Sequence, residues 1–385
     1  MTFNFVWILG AGASAEGGCP VMANFFDVAD SLYKRKLLGA FHQDYENVEF
    51  VRNYLRHSQT KVLFDVNNME QVFSAIDMGI TLNGLGELTL SKLHAAKDSF
   101  TRLTCKVLDE SQKFYCTSYT LGRQLDMLGP QGYDQLAQFI KKTANLDTPY
   151  RHTVITFNYD VGFELACIAR GILPLDSVTN SAMHDSNVDE QISDALAVPI
   201  HKLHGSIHWI KRKSSNNVAI STITDLKNSY YDKVSEVTNR ISRLPKSHEI
   251  GPLGLSKHFE TAESEPPLIV PPTDDKAGFR ETIQPAWIGA SRAIANADLL
   301  CVAGYSMPDT DSFFRHLFAL SAANDHNIRR LYSLDKNQIA SSRFGSLLGH
   351  PIKPNFYPST GDFSSGISYI ERMLESENWI PASKY

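Results

Sequence analysis

The chain has 385 residues, of which 43% are hydrophobic and 21% are charged. This composition is typical of soluble globular proteins, and the length allows one large domain with insertions or two ordinary domains. The formal net charge of -5 argues against a protein whose main task is to hold a nucleic-acid backbone, which needs a basic surface. The basic run Lys211-Arg212-Lys213 is short and adjoins polar residues, so we interpret it as a solvated loop and expect no direct nucleic-acid binding.

The apolar runs and the cysteines indicate the compartment. No apolar run approaches the length of a membrane span, and Phe3–Leu9 is too short for one and lacks the preceding positive charge of a signal peptide. No cysteine pair has Cys-x-x-Cys spacing, so the sequence gives no sign of a zinc site or a disulfide framework: the cysteines are Cys19, Cys105, Cys116, Cys167 and Cys301. We therefore expect a cytoplasmic protein that contacts no membrane and binds no zinc.

Strand-like apolar runs alternate with helical segments along much of the chain. Several runs are continuously apolar, which is typical of a parallel sheet covered on both faces. The predicted strands are Phe3–Leu9, Thr153–Phe157, Pro199–Leu203, Leu268–Val270, Asp298–Ala303, Ile328–Leu334 and Ile352–Phe356. The predicted helices are Gly162–Arg170, Thr282–Ala297, Ser312–Ala323, Lys336–Leu348 and Ser364–Glu377. This alternation predicts an α/β fold with a Rossmann-like, doubly wound parallel sheet.

Two segments interrupt the alternation. Residues from about 37 to 145 are almost wholly helical and predict a large helical insertion, with amphipathic stretches at Glu70–Met78, Leu88–Leu108 and Tyr133–Lys142. Residues from about 211 to 265 are polar and poor in apolar runs, and they predict a partly irregular surface insertion. We interpret residues 1–385 as a single domain that carries both insertions.

The first predicted strand ends in a glycine turn whose candidate dinucleotide-binding residues are Gly10, Ala11, Gly12 and Ser14. Glycine lets the backbone turn sharply and lets a pyrophosphate approach, and a following helix offers it free amides. A tight turn without a ligand is the alternative. Nucleotide binding is favoured because the turn ends an N-terminal buried strand.

Polar residues follow two later strands. Asn158 and Asp160 come after Thr153–Phe157, at the edge where doubly wound sheets bind their ligands. Asp160 serves equally well as a cap of the next helix, whereas Asn158 lies too far from that helix. His204 precedes Gly205 after another strand, where a neutral imidazole can take a proton near neutral pH. His201 and His208 are interpreted as structural.

The strand Asp298–Ala303 leads into a second glycine turn, in which Gly304 and Ser306 can face ribose or phosphate oxygens. Asp309 and Asp311 are interpreted as N-terminal residues of the helix that follows. The next strand ends at Asp335, a polar residue placed to meet the adenosine ribose. Gly304, Ser306 and Asp335 are therefore candidate binding residues.

The ordered set of these stretches resembles the sirtuin-like NAD hydrolase family, in its prokaryotic anti-phage defence branch. The matching blocks are Gly10–Ser14, Thr156–Asp160, Leu203–Ser206 and Gly304–Asp311. The resemblance implies that the first glycine turn binds NAD phosphates and that catalysis depends on Asn158 and His204. It also implies NAD as the substrate and a role as the effector of a bacterial defence system.

The chain departs from the protein-deacetylase sirtuins at two places. Those enzymes continue after the glycine turn into Ile-Pro-Asp-Phe-Arg, whereas this chain has Gly17–Met22, Gly-Gly-Cys-Pro-Val-Met. They also carry a four-cysteine zinc module, but this chain has no cysteine between Cys167 and Cys301. Deacetylation is therefore disfavoured.

Nicotinamide leaves ribose through a cationic state, so the site needs an oriented ribose and a nearby base rather than a strong nucleophile. We assign Asn158 to orient the ribose or the attacking water, His204 to accept a proton or hold a ribose hydroxyl, and Asp160 to support the nicotinamide end. The predicted enzyme is an NAD glycohydrolase that releases nicotinamide and ADP-ribose. A non-catalytic NAD or ADP-ribose sensor and an ADP-ribosyl transferase or deacylase are the alternatives.

An unregulated NAD hydrolase would drain its own host, so we expect activity gated by assembly. Only about ten residues follow the last predicted helix, which leaves little room for a fused sensor domain. We therefore expect a homo-oligomer and a separate regulatory protein, for which the resemblance suggests a ring-forming ATPase. The helical insertion is the candidate contact surface, unless it only covers the sheet and the site.

Overall fold

The computed structural model describes residues 2–57, 64–117, 126–178, 196–211, 218–220, 223–240, 248–261, 265–270, 280–307, 312–321, 328–336, 338–349, 355–377 and 379. Its strands are β1 (Phe3–Leu9), β2 (Tyr115–Thr117), β3 (Asp126–Leu128), β4 (Tyr150–Thr156), β5 (Leu173–Asp176), β6 (Ala197–Lys202), β7 (Trp209–Lys211), β8 (Val218–Ile220), β9 (His248–Glu249), β10 (Leu299–Ala303), β11 (Arg330–Asp335) and β12 (Phe356–Thr360). Its α-helices are α1 (Ala11–Ser14), α2 (Phe25–Lys34), α3 (His42–His57), α4 (Met69–Thr81), α5 (Leu90–Ser111), α6 (Gln131–Ala144), α7 (Gly162–Ala169), α8 (Ile223–Arg240), α9 (Arg280–Ala295), α10 (Ser312–Ser321), α11 (Gln338–Leu347) and α12 (Phe363–Ser376).

Strands β1, β4, β5, β6, β10, β11 and β12 form a seven-stranded parallel sheet in the order β12-β11-β10-β1-β4-β6-β5. β1 is central: the chain adds β4, β5 and β6 on one side of it and then β10, β11 and β12 on the other. This reversal beside β1 is a topological switch point, where the strand ends leave a crevice for a ligand. The predicted Rossmann-like, doubly wound α/β sheet is confirmed.

Most predicted strands match the sheet closely: Phe3–Leu9, Thr153–Phe157, Pro199–Leu203, Asp298–Ala303 and Ile328–Leu334 correspond to β1, β4, β6, β10 and β11. Leu268–Val270 is not one of its strands, because this segment forms only an isolated bridge to Gly205. The run at Ile352–Phe356 lies largely outside the described residues, and β12 begins at its last residue. The edge strand β5 was not predicted, because a run of four residues that contains Pro174 gives only a weak strand signal.

β1 is buried on both faces because its side chains alternate between two apolar cores. Phe5 and Trp7 pack in one core with helices α6, α7 and α12. Val6 and Ile8 pack in the other with helices α9, α10 and α11. The sheet is therefore covered on both sides, as its continuously apolar strands require.

A third apolar core lies among helices α2, α3, α4, α5 and α8. We call α2 to α5 the helical layer; its longest member is α5, with 22 residues packed against α3 and α4. Helix α8 belongs to the polar segment, yet Leu226, Tyr230 and Val234 are buried in this core. Helix α6, which the sequence prediction grouped with the helical insertion, packs on the sheet. Across the described ranges, no helix is both long and apolar enough to cross a membrane.

His152, on β4, is a neutral imidazole inside the first core. The indole Nε1 of Trp7 donates to its Nδ1 at 3.1 Å, and its Nε2 lies 2.7 Å from Oγ1 of Thr143. That hydroxyl donates to a carbonyl of its own helix, so Nε2 of His152 carries the proton and donates to it. Burial lowers the pKa of His152 to about 3.

We expect His152 to make the free energy of unfolding depend on pH. Its pKa is lower in the folded state than in the unfolded chain, so stability is full above about pH 6.5 and falls as the pH drops towards 3. Urea titrations from pH 4 to 7 should show that His152→Gln reduces this slope by about 1.4 kcal/mol per pH unit. His94→Gln, on the exposed side of α5, is the matched control; equal slopes for both variants contradict the assignment.

Candidate functional site

A cleft of about 590 Å³ opens at the carboxyl ends of β1, β4, β10 and β11. It brings together eight of the predicted site residues: Gly10, Ala11, Gly12, Asn158, His204, Gly304, Ser306 and Asp335. Ser14 and Asp160 lie deeper, around an adjoining cavity of about 30 Å³ that shares Ala11 and Asn158 with the cleft. With His204, which follows β6, residues from five separate strand ends thus meet at the edge where the sheet topology places a ligand.

The two glycine turns pack backbone to backbone. A Cβ on Gly10 would lie 2.5 Å from Cα of Tyr305, and one on Gly12 would lie 2.7 Å from Cα of Gly304. The amides of Gly10 and Gly12 donate to the carbonyls of Ala303 and Gly304, at 3.0 and 2.9 Å. The absence of side chains at Gly10 and Gly12 therefore lets the second glycine turn pack against the first, and does not serve a phosphate alone. The amides of Gly10 and Gly12 are already hydrogen bonded to the end of β10 and to that second turn.

Asn158 is held rigidly at the base of the cleft, and only 7% of it is exposed. Its Nδ2 donates to the carbonyl of Gly10 at 2.8 Å and lies 2.9 Å from Oγ of Ser14 and 3.0 Å from the hydroxyl of Tyr133. A carbonyl only accepts, so the contact with Gly10 fixes which end of the amide is nitrogen. The carboxamide oxygen is the atom of Asn158 left for the cleft, where it can accept from a hydroxyl or a water.

The hydroxyl of Ser14 links Asn158 to Asp160. Ser14 donates to Oδ2 of Asp160 at 2.6 Å, so it must accept from its other neighbours, Tyr133 at 2.6 Å and Asn158. Oδ1 of Asp160 accepts from the amide of Gly162 at 2.9 Å. Asp160 thus accepts from the first amide of α7 without being its N-cap, which is Val161, and its second oxygen accepts from Ser14 beside the small cavity. Burial and Asp160 raise the pKa of Tyr133.

His204 lines the same cleft as Asn158 and is 4% exposed. The ring of Phe157 meets its imidazole nearly edge to face, with centroids 5.1 Å apart. The carbonyl of His204 accepts from the amide of Val270 at 2.8 Å. Gly205 has φ of +83°, and a Cβ there would lie 2.1 Å from the carbonyl oxygen of Leu268. This turn therefore requires glycine and fixes the backbone of the histidine.

The other histidines of this segment lie away from the cleft. His201 faces α9, where a Cβ on Gly289 would lie 2.2 Å from its Cε1, and burial lowers its pKa to about 4. Nδ1 of His208 lies 2.8 Å from Oγ of Ser206, and its pKa is lowered by burial and by Lys202. Both agree with the structural interpretation. Within the described part of the chain, no cluster of His, Cys, Asp or Glu could hold a metal ion.

Several features of the cleft were not predicted. The rings of Phe157 and Tyr305 stack, with centroids 4.1 Å and planes 6° apart, and join the ends of β4 and β10. At the other end, Lys336 and Arg343 line the cleft beside Asp335. Asp309 and Asp311 lie outside the described residues. A single aromatic or basic residue beside a motif gives no sequence signal of its own.

A buried ion pair lies beneath the loop that carries Asn158. Nζ of Lys202 donates to the carbonyl of Asp160 at 2.6 Å and to Oε1 of Glu164 at 2.8 Å, and Lys202 is 1% exposed. Removing one partner of such a pair leaves a buried charge uncompensated. The pair therefore fixes the backbone of this loop against β6, the strand that leads to His204.

No protein-family model matches the chain, and no curated protein matches it. Solved structures similar to it include a Sir2 homologue mutant in complex with ADP-ribose, with a TM-score of 0.37 and 12% identity over 99% of this chain and 95% of that one. A Sir2 homologue–NAD complex has a TM-score of 0.35 and 15% identity, over 97% of this chain and 90% of that one. Sir2 in complex with an inhibitor, 2'-O-acetyl-ADP-ribose and a deacetylated peptide has a TM-score of 0.32 and 12% identity, over 97% of this chain and 94% of that one.

The packing of the two glycine turns predicts a large difference between two alanine substitutions. Gly304 has φ of +60° and its added Cβ would lie 2.1 Å from the amide nitrogen of Ala13, whereas Gly39 has φ of +56° and open space. Gly39→Ala should lower the free energy of unfolding by about 1 kcal/mol, from backbone strain alone. Gly304→Ala should lower it by about 3 kcal/mol or more, because overpacking adds to the strain. Urea unfolding of both variants measures this; equal losses contradict the contact.

Proposed function

We propose that this protein binds NAD in the cleft and hydrolyses the bond between nicotinamide and ribose, releasing nicotinamide and ADP-ribose. The observation that carries the proposal is the geometry of Asn158. Its amide nitrogen is anchored, its oxygen is left for the cleft, and His204 lines the same floor. A fixed acceptor next to a base is what departure of nicotinamide from ribose requires.

The dimensions and polarity of the cleft suit NAD. Its volume of about 590 Å³ lies within the roughly 300–1,000 Å³ typical of ligand pockets. Asp335 can accept from the hydroxyls of the adenosine ribose. Lys336 and Arg343 line the same end and can balance the negative charge of the pyrophosphate. The amides of Gly10 and Gly12 already donate to backbone carbonyls. We therefore assign the amide of Ala11, which lies between them, as the donor to a phosphate oxygen.

The reaction needs no strong nucleophile. The bond between C1' of the ribose and the pyridinium nitrogen breaks, and its electron pair neutralises the ring. Positive charge then grows on the ribose, whose hydroxyls or attacking water the oxygen of Asn158 orients. Water adds to C1' and gives up a proton, which the imidazole of His204 accepts. Asp160, through Ser14, shapes the small cavity at the nicotinamide end.

The sequence resemblance further supports a role as the effector of a bacterial anti-phage defence system. Such an enzyme must be inactive at rest, so we propose gating by self-association or by a separate regulatory protein such as a ring-forming ATPase. The helical layer is the proposed contact surface, because it exposes large apolar side chains: Phe50 on α3 is 53% exposed and Met78 on α4 is 58% exposed.

Gating predicts that activity follows assembly. We expect light scattering to show an oligomer, or a complex with a co-expressed neighbouring gene product, whenever NAD is consumed rapidly. The rate per chain should therefore rise with protein concentration or with added partner. A strictly monomeric protein that hydrolyses NAD at full rate alone contradicts the gating proposal and leaves the proposed reaction intact.

Replacing the proposed base should stop the reaction while preserving the fold. We expect His204→Ala to lower the rate of nicotinamide release by at least about 10²-fold, because general-base catalysis contributes that much. His94→Ala, an exposed histidine of α5, should retain full activity. Chromatography of nicotinamide and ADP-ribose, with and without an acceptor, is the measurement. NAD binding without release identifies a sensor, and release only with an acceptor identifies a transferase or deacylase.

Asn158→Ala is expected to lose activity as well, and it should also lower the free energy of unfolding. The position of Asn158 at a strand end suggests that it carries no packing, yet it is 7% exposed and hydrogen bonded to Gly10, Ser14 and Tyr133. Its removal should cost about 2 kcal/mol, because those partners lose a buried donor. Activity of this variant is therefore compared only at temperatures where circular dichroism shows it folded. Near-normal nicotinamide release by either folded variant contradicts the site assignment.

A further inference from the structure

The end of α5 is fixed against Gly17 and Gly18, which follow the first glycine turn in the chain. After the helix ends at Ser111, the amide of Lys113 donates to the carbonyl of Gly17 at 2.7 Å. Gly18 has φ of +89°, and a Cβ there would lie 2.5 Å from the carbonyl oxygen of Ser111. The residue between them, Gln112, is thereby held in one place and is 3% exposed.

Gln112 reaches from the helical layer to the carboxylate of Asp160. Its Nε2 donates to Oδ1 at 3.0 Å, next to the amide of Gly162 that donates to the same oxygen. A Cβ on Gly162 would lie 2.4 Å from this Nε2, so glycine at that position makes room for the contact. Because a carboxylate only accepts, the contact also fixes the orientation of the Gln112 amide.

The hydrogen bonds from Asn158 to Asp160 all run in one direction. Asn158 donates to Ser14, Ser14 donates to Oδ2 of Asp160, and Gln112 donates to Oδ1 of the same carboxylate. All three donors, Asn158, Ser14 and Gln112, are buried, and the carboxylate of Asp160 is the acceptor at which these hydrogen bonds end. A carboxylate that rotated away from Gln112 would also release Ser14, and with it one anchor of Asn158.

We propose that Gln112 is a positioning residue of the active site: it orients the carboxylate of Asp160, which through Ser14 fixes the amide of Asn158. This assignment rests on the proposed NAD hydrolysis and gives the end of helix α5, in the helical layer, a role in positioning the reacting groups. Gln112 lines neither cavity, so it acts through Asp160 and does not touch substrate.

The charges around Asp160 allow a test by pH. The nearest titratable side chains, Cys19 and Tyr133, both have a pKa raised by burial and by Asp160 itself, so both stay neutral from pH 5 to 8. Lys202 contacts the backbone carbonyl of Asp160, not its carboxylate, and pairs with Glu164. A new carboxyl group at position 112 would take the place of the Gln112 amide beside the carboxylate of Asp160.

The decisive variant is Gln112→Glu, which keeps the shape and places two carboxyl groups in contact. Such a pair holds a shared proton at low pH, so one of its pKa values is strongly raised. With the proton, the new side chain still donates to Asp160; without it, the two charges repel. We expect kcat relative to wild type to be near 1 at about pH 5 and to fall about 10-fold by about pH 8. Gln112→Leu should lose about 10-fold at every pH, with KM nearly unchanged.

Gln138→Glu is the matched control, because Nε2 of Gln138 donates to Oδ2 of Asp134 at 2.7 Å on α6, outside the site. It should follow the wild-type pH profile. If Gln112→Glu also follows that profile while wild type releases nicotinamide, the Gln112 assignment alone is overturned. If Gln112→Glu does not fold, Gln112→Leu decides: a raised KM with unchanged kcat overturns the assignment. If wild type releases no nicotinamide under any condition, the proposed function fails and this assignment falls with it.

Discussion

The carboxylate of Asp160 is the acceptor on which the geometry of the site depends. It accepts hydrogen bonds from Ser14, from the backbone amide of Gly162 and from Gln112. The backbone carbonyl of Asp160 accepts another from Lys202. These donors come from the first glycine turn, the start of α7, the end of α5 and the end of β6. One buried negative group thus joins four segments that are far apart in sequence. Because each donor points towards it, the polarity of the whole network is set by that charge.

The sequence alone predicted the sheet and most of the cleft, because both depend on local signals. Continuous apolar runs identify buried parallel strands, and polar or glycine residues directly after them must meet at one edge of the sheet. For this reason Asn158, His204 and Gly304 could be assigned to one site before their distances were known. Edge strand β5 was missed because a run of only four residues is too short to give such a signal.

The sequence could not predict which contacts the glycines and the helices make. A glycine turn is equally suited to a phosphate and to a neighbouring backbone, and only the packing shows that Gly304 occupies the space beside Gly12. Tyr133 and Gln112 lie in or next to amphipathic helices, where a single polar residue at a buried position resembles a surface residue. Their partners are set by tertiary packing between segments separated by tens of residues, which periodicity does not encode.

The separate apolar core of the helical layer has a consequence for local unfolding. Two cores hold the sheet together, and a third lies among the helices of the layer. Such a cluster can open as a cooperative unit at a free energy below that of global unfolding, with faster hydrogen exchange in α2 to α5 than in the central strands. Since the end of α5 carries Gln112, an opening of this kind would detach Asp160 from one donor while the sheet stayed folded. The catalytic geometry and the stability of the sheet would then respond to different perturbations.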